Sequence, residues 1–117
     1  TSLEVIAHAV DLLNAERPDL VVLGGDYVTR RSRAYTPAAT TPFAALRAPL
    51  GVYGVLGNHD DDVQVPRGLA RQGVQVLRDA RTRLQVRGHA LDLIGVHYWT
   101  RHLDAIARLA RGRAPLT

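Results

Sequence analysis

Two stretches decide the fold: Leu20-Val21-Val22-Leu23-Gly24-Gly25-Asp26 and Val52-Tyr53-Gly54-Val55-Leu56-Gly57-Asn58-His59-Asp60. In each, an apolar run ends at glycine and is followed at once by a side chain with an oxygen donor. A continuous apolar run is what a parallel strand covered on both faces requires. Asn58 stands 32 residues after Asp26, about the length of one strand–helix–strand unit. A right-handed crossover between parallel strands puts both residues at one edge of the sheet. That carboxyl edge is where open α/β sheets bind ligands.

The flanking sequence supplies the remaining elements. Leu3, Ile6, Ala9, Val10 and Leu13 recur at helical spacing, with Ser2 as N-cap and Glu4 in the first turn. Pro18 ends this helix and is expected to push Arg17 toward extended geometry. Between the two stretches, residues 29–35 read as a polar loop. Thr36-Pro37 then opens a helix over 37–46, in which Pro42 implies a later start or a break. Val65-Pro66 opens a short helix over 67–72 that Gly73 caps.

From Val74 the period changes to two. Val74 and Val76, Leu84 and Val86, then Leu91 and Leu93 alternate with Arg, Gln and Asp, predicting strands with one wet face. Arg87-Gly88-His89-Ala90 is a hairpin turn. A last helix starts at Thr100 or Arg101, carries Leu103, Ile106, Ala107, Leu109 and Ala110, and ends near Gly112. The order α-β-α-β-α-β-β-β-α predicts an α/β domain over 1–117 with an antiparallel extension. No internal repeat or linker divides it.

Composition narrows the chemistry. Without cysteine, disulfides and zinc–thiolate sites are excluded, so a metal must sit on oxygen and imidazole. Five histidines and eleven acids offer such ligands. The apolar fraction of 46% and charged fraction of 22% are those of a globular protein. No run approaches the ~18 apolar residues of a membrane helix, and no signal-peptide pattern opens the chain. The net charge of +4 comes from fifteen arginines and no lysine. Arg grips phosphate in a bidentate fork, but the arginines are scattered, as a GC-rich coding sequence would scatter them. The chain has no methionine, begins with Thr1-Ser2 directly before a helix, and stops just after Pro115-Leu116, where a strand could start. We expect an internal fragment of a longer protein.

Asp26 and Asn58 make chemical sense together as oxygen ligands of a two-metal site. An aspartate can bridge two cations, and a neutral carboxamide leaves positive charge for a phosphate. Paired ions about 3.5–4 Å apart lower the pKa of a bridging water and clamp an in-line displacement at phosphorus. His59, next in the chain, would point toward substrate and act on the phosphate or the leaving oxygen. Asp60 would orient His59 and favour its charged form.

These motifs resemble those of the calcineurin-like metallophosphoesterase family, whose core includes Gly-Asp after one strand and Gly-Asn-His-Asp or Gly-Asn-His-Glu after the next. The flanking text from Arg17 to Asp26 and from Ala48 to Asp60 is most similar to the bacterial membrane-associated phosphodiesterase branch, as is Gly95-Val96-His97-Tyr98-Trp99 before a helix. The resemblance implies a mixed-sheet two-layer β-sandwich flanked by helices, here a partial domain truncated at both ends. It implies that Asp26 bridges two divalent ions (Mn, Fe or Zn), that Asn58 binds one, that His59 acts on the phosphate and that Asp60 supports it. The implied reaction is phosphoester hydrolysis, diester rather than monoester, by a bridging hydroxide. The implied substrates are small-molecule or lipid-linked phosphoesters in the cytoplasm or at the membrane of a bacterium, with any membrane attachment made by segments outside this chain.

The family also uses an Asp-x-His, which occurs nowhere in this chain, and a later His and Gly-His-x-His. Gly88-His89-Ala90-Leu91 has only the start of the latter and lies in a hairpin, so it reads as a decoy. With two of the expected ligands, the fragment alone is expected to be inactive. The alternative from another class is a non-catalytic scaffold or anion-binding domain. Nucleic-acid binding, raised by the pI of about 10.3, lacks an aromatic platform and a basic stripe. Arg30, Arg31 and Arg33 read as a solvated loop that could steer an anion. Asp61 and Asp62 read as solvated, and His8 and His102 as surface residues. His97, Tyr98 and Trp99 follow the Leu91–Val96 strand and could line a substrate pocket, with Trp99 packing beneath the last helix as the alternative.

Overall fold

Three short parallel strands form the frame: β1 (Val21–Leu23), β2 (Val52–Gly54) and β3 (Val74–Val76), in that order across the sheet. The computed structural model describes residues 3–25, 27, 40–57, 60, 63–97, 100 and 102–117. Val21 pairs with Val52 and Val52 with Val74, so Leu23, Gly54 and Val76 end level at the carboxyl edge. The ladder continues past the strands: the Val55 N–H donates to Leu23 O (3.1 Å) and the Leu77 N–H to Gly54 O (2.9 Å). The segments that leave β1 and β2 therefore start side by side, as the spacing predicts.

Alternation along the strands sends Val21, Leu23, Val52, Val74 and Val76 to one face. There they meet α1 (Leu3–Ala15), a 3₁₀ turn (Thr41–Ala45) and α2 (Gln64–Arg71). One cluster joins Leu56, Val65, Leu69 and Val74; its neighbour joins Val10, Val21 and Leu46; Leu23, Val52 and Phe43 touch both. The expectation of cover on both faces is corrected at Val22, which is 51% exposed. α1, the 3₁₀ turn and α2 all pack against the face of Val21, Val52 and Val74, opposite Val22. Tyr53, on the other face, is nevertheless buried, its ring beside Gly51.

α1 uses a narrower stripe than its pattern predicts. Ile6 and Val10 turn inward, whereas Ala9 and Leu13 are exposed, because the helix rests on a narrow support of 3₁₀ turn and β1. Asn14 completes the stripe: its Nδ2 donates to Ala45 O (2.7 Å) and its Oδ1 accepts from the Arg47 N–H (3.0 Å). Arg17 is not extended but left-handed, with φ 51°. Pro18 disfavours the right-handed helical region at Arg17, and the chain leaves the helix by this left-handed residue instead. Pro42 sits at the start of the 3₁₀ turn, where a missing N–H is harmless. The expected loop over 29–35 and Ser2 lie outside the described residues. α2 begins slightly earlier than expected and buries Val65, Gly68 and Leu69 at helical spacing.

The antiparallel extension is a hairpin of β4 (Ala80–Val86) and β5 (His89–Gly95), with Val86 opposite His89. Its turn is tighter than expected: Arg87 and Gly88 alone form it, both at positive φ, as a two-residue type I′ turn demands. The expected wet face is corrected at Asp92, which is fully buried. α3 (Leu103–Ala110) and the segment after it fold across that face. Asp92 accepts from Arg83 through both oxygens (2.7 and 2.8 Å) and from the Ala114 N–H (2.7 Å). Arg81 donates to Leu109 O and Arg111 O, and Arg83 to Gly112 O. Leu116 bridges Leu91 in parallel. α3 starts at Leu103, later than expected, and no helix among the described residues is long and apolar enough to cross a membrane. The α/β class with parallel and antiparallel sheets is as the pattern predicts.

Candidate active site

The site begins where β1 and β2 end. Gly25 has φ +100°, a conformation that L side chains rarely adopt, and its backbone presses on the second turn. A Cβ placed on Gly25 would lie 2.7 Å from the Gly57 nitrogen, so only glycine allows this approach. Gly25 precedes Asp26 in the chain and Gly57 precedes Asn58. Asp26, Asn58 and His59 themselves lie outside the described residues, as do Arg30, Arg31, Arg33, Asp61, Asp62, Tyr98 and Trp99.

Asp60 is described, and it is fully buried. Its Oδ1 accepts from the Tyr27 N–H and its Oδ2 from the Gly57 N–H, both at 2.8 Å. One carboxylate thus holds an amide from each turn, in the short, charge-assisted geometry that makes such bonds strong. The role expected for Asp60, orienting His59, involves a residue outside the described ones; what the structure shows is this bond to both turns, which the motif did not reveal.

Tyr27 is the residue that the sequence reading missed. Its hydroxyl donates to Val55 O (2.8 Å) and lies 3.2 Å from Leu23 O, the carbonyls where the two strands end. Its ring meets Phe43 edge-on, centroids 5.8 Å apart. Burial, reinforced by the Asp60 charge, pushes the phenol well above its ordinary pKa, so it stays a donor. Gly54 makes room: a Cβ there would come within 2.7 Å of the Tyr27 oxygen. The available signal was chemical, since a buried tyrosine must find a partner for its hydroxyl.

The remaining histidines separate by position. Arg87, at the hairpin turn, pairs with Asp19 just before β1 (3.2 Å). The hairpin turn that carries His89 is thus near the segment that enters β1, whereas the two motifs follow the other ends of β1 and β2. His97 leaves β5 beside the exit of β3, its N–H donating to Asp79 Oδ1 (2.8 Å), whose Oδ2 accepts from the Thr100 hydroxyl (2.6 Å). These bonds hold the Asp79 carboxyl below its usual range. His8 and His102 are exposed.

Among the described residues no group of three or more His, Asp or Glu stands close enough to share a metal ion. The donor set of the two turns nevertheless fits a hard divalent cation: a carboxylate and a carboxamide follow glycines whose backbones touch, and no thiolate competes. The sequence model of the calcineurin-like phosphoesterase family matches residues 2–113. A Caenorhabditis elegans protein provisionally named a metallophosphoesterase is 42% identical over 55 residues, which are 47% of this chain and 11% of that protein. The chain thus aligns with about a tenth of the length of this relative. No solved structure matches it.

Proposed function

Because this chain belongs to the calcineurin-like phosphoesterase family, we propose that it carries part of the active site of a metal-dependent phosphoester hydrolase, acting on diesters in preference to monoesters. Asp26 and Asn58 would hold the metal, two divalent ions of Mn, Fe or Zn in this reading. Bound there, such ions supply Lewis-acid activation of a water and neutralisation of phosphate charge. The other roles fall to the chain itself. His59 presents its imidazole to the substrate phosphate or to the departing oxygen. Asp60 keeps the two turns in one frame, and Gly25 and Gly57 keep their backbones close enough for the two oxygen donors to converge. The observation that carries the reading is the Asp60 carboxylate, with one amide from each turn at 2.8 Å.

Small-molecule or lipid-linked phosphodiesters remain the proposed substrates, in a bacterial cytoplasm or at its membrane, with attachment through other segments. The resemblance of the residues around Asp26 and Asn58 to the membrane-associated branch supports this. The test is hydrolysis of a chromogenic phosphodiester by the full-length protein with added manganese. Asn58→Ala and His59→Ala should each lower kcat/KM by at least about 100-fold. Full activity in either variant would contradict the assignment.

A further inference from the structure

We infer that Tyr27 is a positioning residue of the metal site, acting with Asp60 as a clamp that fixes the distance between the Asp26 and Asn58 turns; this rests on the function proposed above. Tyr27 is bonded at both ends. Its hydroxyl engages the carbonyls of Leu23 and Val55, the last groups of the two strand ladders, and its N–H donates to Asp60. Asp60 passes the constraint to Gly57, next to Asn58. The ring is held from the side by Phe43 and fits only because position 54 has no side chain.

The chain of contacts therefore runs from the residues flanking Asp26 in sequence to Gly57, which precedes Asn58, without passing through a metal. Asp26 lies between Gly25, which presses on Gly57, and Tyr27, which is tied to Val55 and Asp60. A ligand pair presented by a rigid frame loses little freedom on binding a cation, and partners one step outside the ligands typically alter metal affinity by about 10–100-fold. A tyrosine that only filled the core would affect stability and leave affinity alone.

Tyr27→Phe separates the two cases, since it keeps the ring and removes the hydroxyl. In the full-length protein, amide exchange at Gly57 should quicken by up to about tenfold, while Leu69 in α2 exchanges as in the wild type. The affinity for Mn²⁺ alone, read by titration calorimetry, should fall by about tenfold or more. Unchanged exchange at Gly57 would overturn the clamp. Faster exchange with wild-type Mn²⁺ affinity would overturn the positioning role. Asp26→Ala and Asn58→Ala tested alongside isolate the other failure: a wild type whose Mn²⁺ binding ignores both substitutions would refute the metal-site reading itself.

Discussion

One buried carboxylate bonds to both turns of this domain. Asp60 is buried with both oxygens occupied by amides 33 and 3 residues away in the chain. Asp60→Ala would leave both N–H groups without this partner, and each buried amide so orphaned costs about 1–3 kcal/mol. We predict a loss within that range or above it by denaturant unfolding; a change under about 0.5 kcal/mol, the scale of an ordinary surface substitution, would refute the role. Gly25→Ala tests the same frame from the other side, because it combines a disfavoured φ with a backbone collision. It should destabilise by at least about 1–3 kcal/mol. The family was legible from Gly-Asp and Gly-Asn-His-Asp. The second use of Asp60 was not, because a motif shows which residues are neighbours in sequence and not which amide a buried oxygen meets.

At the scale of elements, what could be read was the parallel frame, the helices and the hairpin, all of which follow from hydrophobic period. What could not was the cover that distant segments provide. Val22 belongs to an apolar run and is half exposed; Asp92 belongs to a polar alternation and is buried under residues 109–116. Period assigns a side chain to a face, but only the tertiary path shows whether that face is wet. Two predictions belong here. Gly54→Ala should destabilise by about 1–3 kcal/mol through overpacking, and Tyr27→Phe should relieve part of that loss, a positive coupling read from a double-mutant cycle. Independent, additive effects would mean that the hydroxyl does not occupy that space.

Asp92 gives the hairpin a pH dependence. Arg83, bonded to both oxygens, holds the Asp92 carboxyl far below the usual carboxylate range despite its burial. A pKa depressed in the folded state stabilises above the unfolded value, about 3.9. That contribution is lost as pH falls from there toward the folded value. Asp92→Asn should therefore flatten the acid limb of the stability profile below about pH 4, measured by thermal unfolding at stepped pH. An acid limb as steep as that of the wild type would contradict the assignment.

For the whole molecule, the proposed function depends on two strands ending level and on what leaves them. The parallel register, the Gly25–Gly57 contact and the Asp60 clamp all bring the same two turns together at the carboxyl edge, while the hairpin turn with His89 lies near the segment that enters β1. The central claim is that Asp26 and Asn58 bind one shared cation cluster. A double-mutant cycle on Mn²⁺ affinity tests it most directly, with Asp26→Ala, Asn58→Ala and the combined variant titrated in the full-length protein. A shared site predicts that the combined loss falls well short of the sum of the single losses, by at least about 1 kcal/mol of coupling. Single losses that simply add, or no loss in either variant, would contradict the account.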